Sequence, residues 1–321
     1  MPVNTPVAPV PGSLQVQPWD GHDLQALLRL DTLAPGMYRT RHADANLNLR
    51  SYGGQSLGQA LMAACMDVQA DRRPSAMQFM FLQGADPAQP IALDVTRLQD
   101  GRRFSSRHVR GAQAGGRLVL DAQVSFAVEL DSPAHQRPWS GCGPGEVPVA
   151  PAHGVGDEEP PTLSPDWARS MRRLGGYSIA VKPSVVFVLP EPERQVDPRT
   201  AEPRLRFWLR ARQRLADDAC VHAAAFAYLS DWWINFCSLA PHMRDLERGE
   251  RLYVASLNHA IWLHRPFRAD EWLYFDTHSP FAGGGRGLSI AHVHDAAGQA
   301  VATVTQECLM VPIPDDGPAQ A

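Results

Sequence analysis

Three polar residues stand in apolar surroundings, and each has the chemistry to hold or activate a water molecule. Asp231 lies in the stretch 222–239, where Ala223, Phe226, Ala227, Leu229, Trp232 and Ile234 leave hardly a polar face, the pattern of a buried helix. A carboxylate buried without compensation is costly or has its pKa pushed up, so an acid retained there needs a partner or a purpose. The plainer alternative is an Asp that bonds backbone or an Arg and serves only the fold. Gln306 belongs to the expected strand 300–309, where alternation puts it on one face with Ala302, Val304 and Cys308. A buried Gln has an acceptor and two donors with which to orient a water; otherwise it satisfies a bulge or a carbonyl between strands. Ser256 shares a strand face with Leu252 and Val254, and its hydroxyl can reach the same water.

A second group could recognise charge. The turn Gly53-Gly54-Gln55-Ser56 opens a helical pattern. Glycines can launch a helix through their backbone freedom alone. The unpaired N–H groups of a helix start also make a ready site for a developing oxyanion, which makes Gly54 and Gln55 candidate substrate-binding residues. His259, His264 and Arg265, close to Trp262 and Phe267, are expected to pair with Asp270 or Glu271 and anchor a loop. Arg265 or Arg268 could instead meet phosphates. His292 and His294 come with no HExxH and no Cys/His cluster, so they are read as ordinary strand or surface histidines and no metal site is expected.

The elements that must position these groups repeat. In the first half, Leu57, Ala60, Leu61 and Ala64 recur at helical spacing over 56–68, and strand-like segments follow at 78–82, 91–98, 104–111 and 118–128. In the second half an apolar helix over 222–239 is followed by strands at 251–257, 271–278, 287–294 and 300–309. The closest internal echo sets Phe104-Ser-Ser-Arg-His-Val beside Leu288-Ser-Ile-Ala-His-Val. A helix followed by a meander packs most economically when the antiparallel sheet curls around it. Two such units can pair edge to edge into one sheet and remove the exposed edge. The expected fold is therefore α+β, a tandem double hot-dog. Its expected divisions are a tail at 1–20, a first hot-dog at 21–130, a Pro/Gly-rich linker at 131–175, a second hot-dog at 176–313 and a tail at 314–321.

Composition narrows the function. Against 34 Asp and Glu the 321 residues carry 30 Lys and Arg, so no polybasic grip on nucleic acid is expected. The longest apolar stretches fall short of the roughly 20 residues needed to span a bilayer, and 1–19 holds no signal-like apolar run. Five scattered cysteines without a CxxC pair suit reduced thiols in a cytoplasmic protein.

The chain resembles the type II acyl-CoA thioesterases, a family of double hot-dog enzymes. The likeness starts at Tyr52-Gly-Gly-Gln-Ser-Leu-Gly-Gln-Ala-Leu and passes through Asp100-Gly-Arg-Arg-Phe-Ser-Ser-Arg to Phe126. It resumes at Val196-Asp-Pro-Arg and runs on through Ala227-Tyr-Leu-Ser-Asp231, Asn258-His-Ala-Ile-Trp-Leu-His-Arg-Pro-Phe-Arg and Asp270-Glu-Trp-Leu. It ends at Gln306-Glu-Cys-Leu-Met. The resemblance implies hydrolysis of acyl-CoA, with no cofactor, by a water held between an Asp, a Thr or Ser, and a Gln. The matching positions are Asp231, Ser256 and Gln306. The chain departs from the family's pattern at Ser75-Ala-Met-Gln78, at Asn258, at Val311 and in having Ser at 256. The partner implied is the acyl-CoA substrate, with a homo-oligomer possible. The rivals are a hot-dog enoyl-CoA hydratase, whose run of Asp, Asn, Pro and His is absent, and a non-catalytic acyl-CoA-binding paralogue. Ser256 lacks a GxSxG elbow, which disfavours a covalent route.

Overall fold

A computed structural model describes residues 16–46, 49–136, 182–190, 195, 202–242 and 250–314. Most of the expected linker, Val196-Asp-Pro-Arg and both extreme tails lie outside the described residues. In the first half a short helix α1 (Leu24–Leu28) precedes β1 (Leu30–Ala34) and β2 (Met37–Thr40). Helix α2 (Gly53–Cys65) and strands β3 (Arg73–Phe81), β4 (Ala92–Asp100), β5 (Phe104–Gln113) and β6 (Arg117–Ala127) follow. The second half has β7 (Val185–Val188), β8 (Arg204–Ala211), α3 (Ala219–Ser230) and α4 (Phe236–Leu239). It ends with β9 (Glu250–Leu263), β10 (Leu273–Gly283), β11 (Arg286–Asp295) and β12 (Ala300–Pro314).

All twelve strands form one sheet, in the order β1-β2-β4-β5-β6-β3-β9-β12-β11-β10-β8-β7. Read outward from the centre, both halves have the same order, so the tandem expectation holds in the topology. The seam is the antiparallel pair β3–β9, with Met77 opposite Ile261 and Phe79 opposite His259. That pairing satisfies the inner edge of each half.

Helices α2 and α3 lie inside the curled sheet and run antiparallel against each other. Small residues permit the approach. A Cβ on Gly54 would sit 2.3 Å from the Tyr228 carbonyl oxygen, and one on Gly58 2.8 Å from that of Ala224. Alanines dominate the α3 stretch 223–227, which is buried throughout. Its start is fixed by Asp218, whose Oδ1 accepts the N–H groups of Cys220 (2.7 Å) and Val221 (3.3 Å).

The structure corrects two expectations. The apolar stretch 222–239 is not one helix: α3 ends at Ser230, and Asp231 is its C-cap. The chain then turns through Trp233, which adopts φ 61°. A bulky residue in that region is strained; its ring packs, tilted, between Phe187 (5.1 Å) and Phe236 (4.7 Å). Continuous hydrophobicity hid the break because both sides of it are buried. Strands β1, β2, β7 and β8 were also not read from the sequence. Three of them are only four or five residues long, but β8 carried a signal, with Leu205, Phe207 and Leu209 alternating with Arg204, Arg206 and Arg210.

Candidate active site

Asp231, Ser256 and Gln306 come together although 25 and 50 residues separate them along the chain. The end of α3 presents Asp231, and two neighbouring strands present the others. As the alternation predicted, Gln306 points inward on β12, with Ala302, Val304 and Cys308 buried beside it. On β9 the alternation is broken. Ser256 pairs with Cys308 and Asn258 with Glu307, which leaves Leu257 as a bulge. The extra residue flips the parity of the strand. Ser256 and His259, three apart, therefore face the same interior, and His259 lies directly opposite Gln306.

The Gln306 amide has all its hydrogen-bonding groups occupied. Its Nε2 donates to Asp231 Oδ1 at 2.7 Å and to Ser256 Oγ at 2.8 Å. Its Oε1 lies 2.6 Å from His259 Nδ1. Because a carbonyl oxygen only accepts, His259 carries its proton on Nδ1. Burial holds the His259 pKa down at about 4, so the ring is neutral near pH 7; its Nε2 lies 2.9 Å from the Ser230 hydroxyl, whose one hydrogen is shared with the Ala227 carbonyl, also at 2.9 Å. A chain results, directional from His259 to Gln306 and on to Asp231 and Ser256, with Ser230 against its outer end. Ser230, His259 and Gln306 have the connectivity of a nucleophile, base and orienting group. Ser230, however, has no exposed surface, so the chain serves to orient the Gln306 amide.

Asp231 is the electrostatic centre. Burial raises its pKa from 3.8 to about 6, against hydrogen bonds from Gln306, the Gly54 N–H and Ser256 and the positive charge of Lys182. Lys182 is itself paired with Asp44, to which the Tyr228 hydroxyl donates at 2.8 Å, and it lies 4.1 Å from the centre of the Tyr52 ring. Helix α2 has no side-chain cap of its own at Tyr52; the Asp231 carboxylate accepts from the first turn instead. This contact explains Gly53, where a Cβ would stand 2.6 Å from Asp231 Oδ2. Neither Gly53 nor Gly54 has positive φ, so close approach, not backbone freedom, is what their lack of a side chain provides.

The remaining candidates separate. Gln55 is buried, but its N–H donates to the Tyr52 carbonyl (3.1 Å) and its side chain bonds the Asp44 N–H and Gln59 (2.9 Å). It fastens α2 to the segment before it and has no donor left for an oxyanion. His259 does not anchor a loop; Arg268 does, through Asp270 and Asp217. His264 bonds Thr303 and Arg265 bonds Gln299 at the surface. Asn258, one of the departures, bonds Glu307 across the strands on the face opposite His259. It lies outside the polar cluster.

Comparison with known proteins identifies the family. The family description "Acyl-CoA thioesterase N-terminal domain" matches residues 42–127, and "Acyl-CoA thioesterase C-terminal domain" matches 145–310. The chain is 31% identical over 286 residues to mouse acyl-coenzyme A thioesterase 8, covering 88% of this chain and 87% of that one. It is 27% identical over 308 residues to acyl-CoA thioesterase 2 of Haemophilus influenzae, covering 90% and 97%. The solved structure of acyl-CoA thioesterase II TesB2 from Mycobacterium marinum superposes with a TM-score of 0.69 at 27% identity, over 92% of this chain and 99% of the other. Two family descriptions in sequence order on a duplicated, helix-wrapping sheet leave one conclusion: the chain belongs to the type II acyl-CoA thioesterases, double hot-dog hydrolases of acyl-CoA thioesters.

Proposed function

We propose that the protein hydrolyses acyl-CoA by direct attack of water, with Asp231 as general base and Ser256 and Gln306 as the groups that position the reaction. Asp231 takes one proton from the water as its oxygen bonds to the thioester carbonyl carbon. The tetrahedral intermediate expels the CoA sulfur, which leaves as the thiol with the proton that Asp231 held; the acyl group departs as the carboxylic acid. No covalent enzyme intermediate forms. Ser256 has no base to activate it, since the two nitrogens of His259 are engaged by Gln306 and Ser230.

The supporting observation is a half-buried carboxylate with its pKa near 6, held by an amide that also holds a hydroxyl. A base of that pKa is ionised at neutral pH yet basic enough to draw a proton in the transition state. Gln306 keeps Asp231 and Ser256 on either side of one nitrogen and so sets where a water can sit. The Gly54 N–H is the oxyanion donor in this reading. It faces the Asp231 carboxylate while that group is charged, and its pull on the substrate oxygen grows as negative charge passes there and Asp231 becomes protonated. Each contribution is of familiar size, about 10²–10⁴ for the base and 10²–10³ for an oxyanion donor.

Thiol release from acyl-CoAs of graded chain length tests the proposal. Asp231→Asn is expected to lose about 10²–10⁴ in kcat while remaining folded. Turnover near wild type in that variant would rule Asp231 out as the base. Tight acyl-CoA binding by the wild-type protein without thiol release would replace hydrolysis with a binding role.

A further inference from the structure

The attacking water brings two hydrogens, and the proposed base accounts for one. The neighbouring acceptors can be checked in turn. Gln306 Oε1 is committed to His259 Nδ1–H at 2.6 Å. Ser256 Oγ accepts from Gln306 Nε2 at 2.8 Å and from Asn235 Nδ2 at 3.5 Å. Two acceptors beside this set have no partner, the Ser289 hydroxyl opposite Gln306 on β11 and Asn235 Oδ1, on a residue that is 3% exposed; of the two, Asn235 is the one whose amide reaches Ser256. An unpaired buried carbonyl is costly, and a site that retains one points to a group that fills it.

We propose that Asn235 is a catalytic residue whose Oδ1 accepts the second hydrogen of the attacking water; this rests on Asp231 being the base. The turn that follows α3 delivers both. Asp231 caps the helix, the chain reverses at Trp233, and Asn235 enters the same interior beside Ser256. The water is then surrounded tetrahedrally. Asp231 and Asn235 take its two hydrogens, the Ser256 hydroxyl turns its one hydrogen from Asp231 to a lone pair of the water as the water enters, and the other lone pair faces the thioester carbon. Holding the second hydrogen fixes the direction of that attacking lone pair, which is the orientational part of catalysis. No proton is transferred to Asn235, so the overall reaction is unchanged.

The test measures thiol release from one saturated acyl-CoA and its 3-hydroxyacyl counterpart, with Asn235→Leu, Asn235→Asp and Asp231→Asn compared with the wild type between pH 5.5 and 8.5. Asn235→Leu removes the acceptor at nearly constant size. It is expected to lower kcat about 10- to 100-fold for both substrates, to leave KM within about twofold and to keep the melting temperature at or above wild type. Asn235→Asp keeps an acceptor oxygen but adds charge beside Asp231. Its rate limb is expected to move to higher pH, with kcat at pH 8.5 recovering to within about fivefold of wild type. A merely structural Asn would give the reverse order, with the buried Asp worse than Leu at every pH. Wild-type kcat in Asn235→Leu, or a loss confined to the hydroxyacyl substrate, overturns the proposal. If Leu does not fold, Asn235→Ala is judged by the same criteria. Failure of the underlying reading is separable: it appears as turnover in Asp231→Asn, whereas an inactive Asp231→Asn with a fully active Asn235→Leu refutes the Asn235 role alone.

Discussion

The two halves of the chain share one strand order and one helix placement, yet among the described residues the trio of carboxylate, hydroxyl and amide assembles in the second half alone. The inner strand tells them apart. In the second half, β12 places Gln306 between Ser289 of β11 and His259 of β9. In the first half, the corresponding strand β6 places Phe126 between Ser105 of β5 and Pro74 of β3. Both Phe126 and Gln306 are wholly buried. The helix ends differ in the same way, with Met66 at the C-cap of α2 and Asp231 at that of α3. The fold therefore offers the same niche twice. One copy holds the Phe126 ring and the other an amide, an imidazole and a carboxylate, so among the described residues this centre is built by the second half and completed by the start of α2.

Exchanging residues between the niches breaks this contrast most strongly. Gln306→Phe, which installs the first-half residue, removes the link between Asp231 and Ser256 and leaves the His259 Nδ1–H unpaired. A loss of about 10²–10³ in kcat is expected, measured by thiol release with folding checked by circular dichroism. His259→Phe acts one bond further away. It frees the Gln306 amide to turn, and kcat is expected to fall about tenfold to a hundredfold with KM little changed, His259→Asn recovering part of the loss. The reverse exchange, Phe126→Gln, creates no activity; it buries an amide with no partner and is expected to destabilise the protein by about 2–4 kcal/mol in urea unfolding.

Smaller effects sharpen the electrostatic side. The folded pKa of Asp231, about 6, is raised above its ordinary 3.8 by burial. The stabilising part of this linkage is present below about pH 4 and lost as pH rises through 6. Asp231→Asn removes that pH dependence. Its stability relative to wild type is expected to grow between pH 4 and 6 and then level off, by at most about 3 kcal/mol, read from chemical denaturation at several pH values. Gly54→Ala tests the contact between the halves. A Cβ pressed against the Tyr228 carbonyl is expected to cost about 1–3 kcal/mol, seen as a lowered melting temperature.

Much of this was legible from the residues. The inward face of β12 follows from alternation around Gln306, and the duplicated plan follows from two matched helix-and-strand runs. Other features depend on three-dimensional register, which a linear pattern does not carry. His259 faces Gln306 only because Leu257 bulges, and nothing in Ser256-Leu-Asn-His259 announces a bulge. The helix break at Trp233 lies within unbroken hydrophobicity, where periodicity has no polar face to lose. Gly53 and Gly54 read equally well as a helix launch. Their actual reason, the approach of Asp231 and Tyr228, comes from residues more than 170 positions away.

The central claim is that a half-buried carboxylate with a raised pKa draws the proton from water, and the pH dependence of kcat/KM tests it most directly, since it reports the ionisation of the free enzyme. Between pH 4.5 and 8 the account predicts a plateau at neutral pH and a fall of about tenfold per pH unit below a midpoint near 6. A rate that stays level down to pH 5 would contradict it.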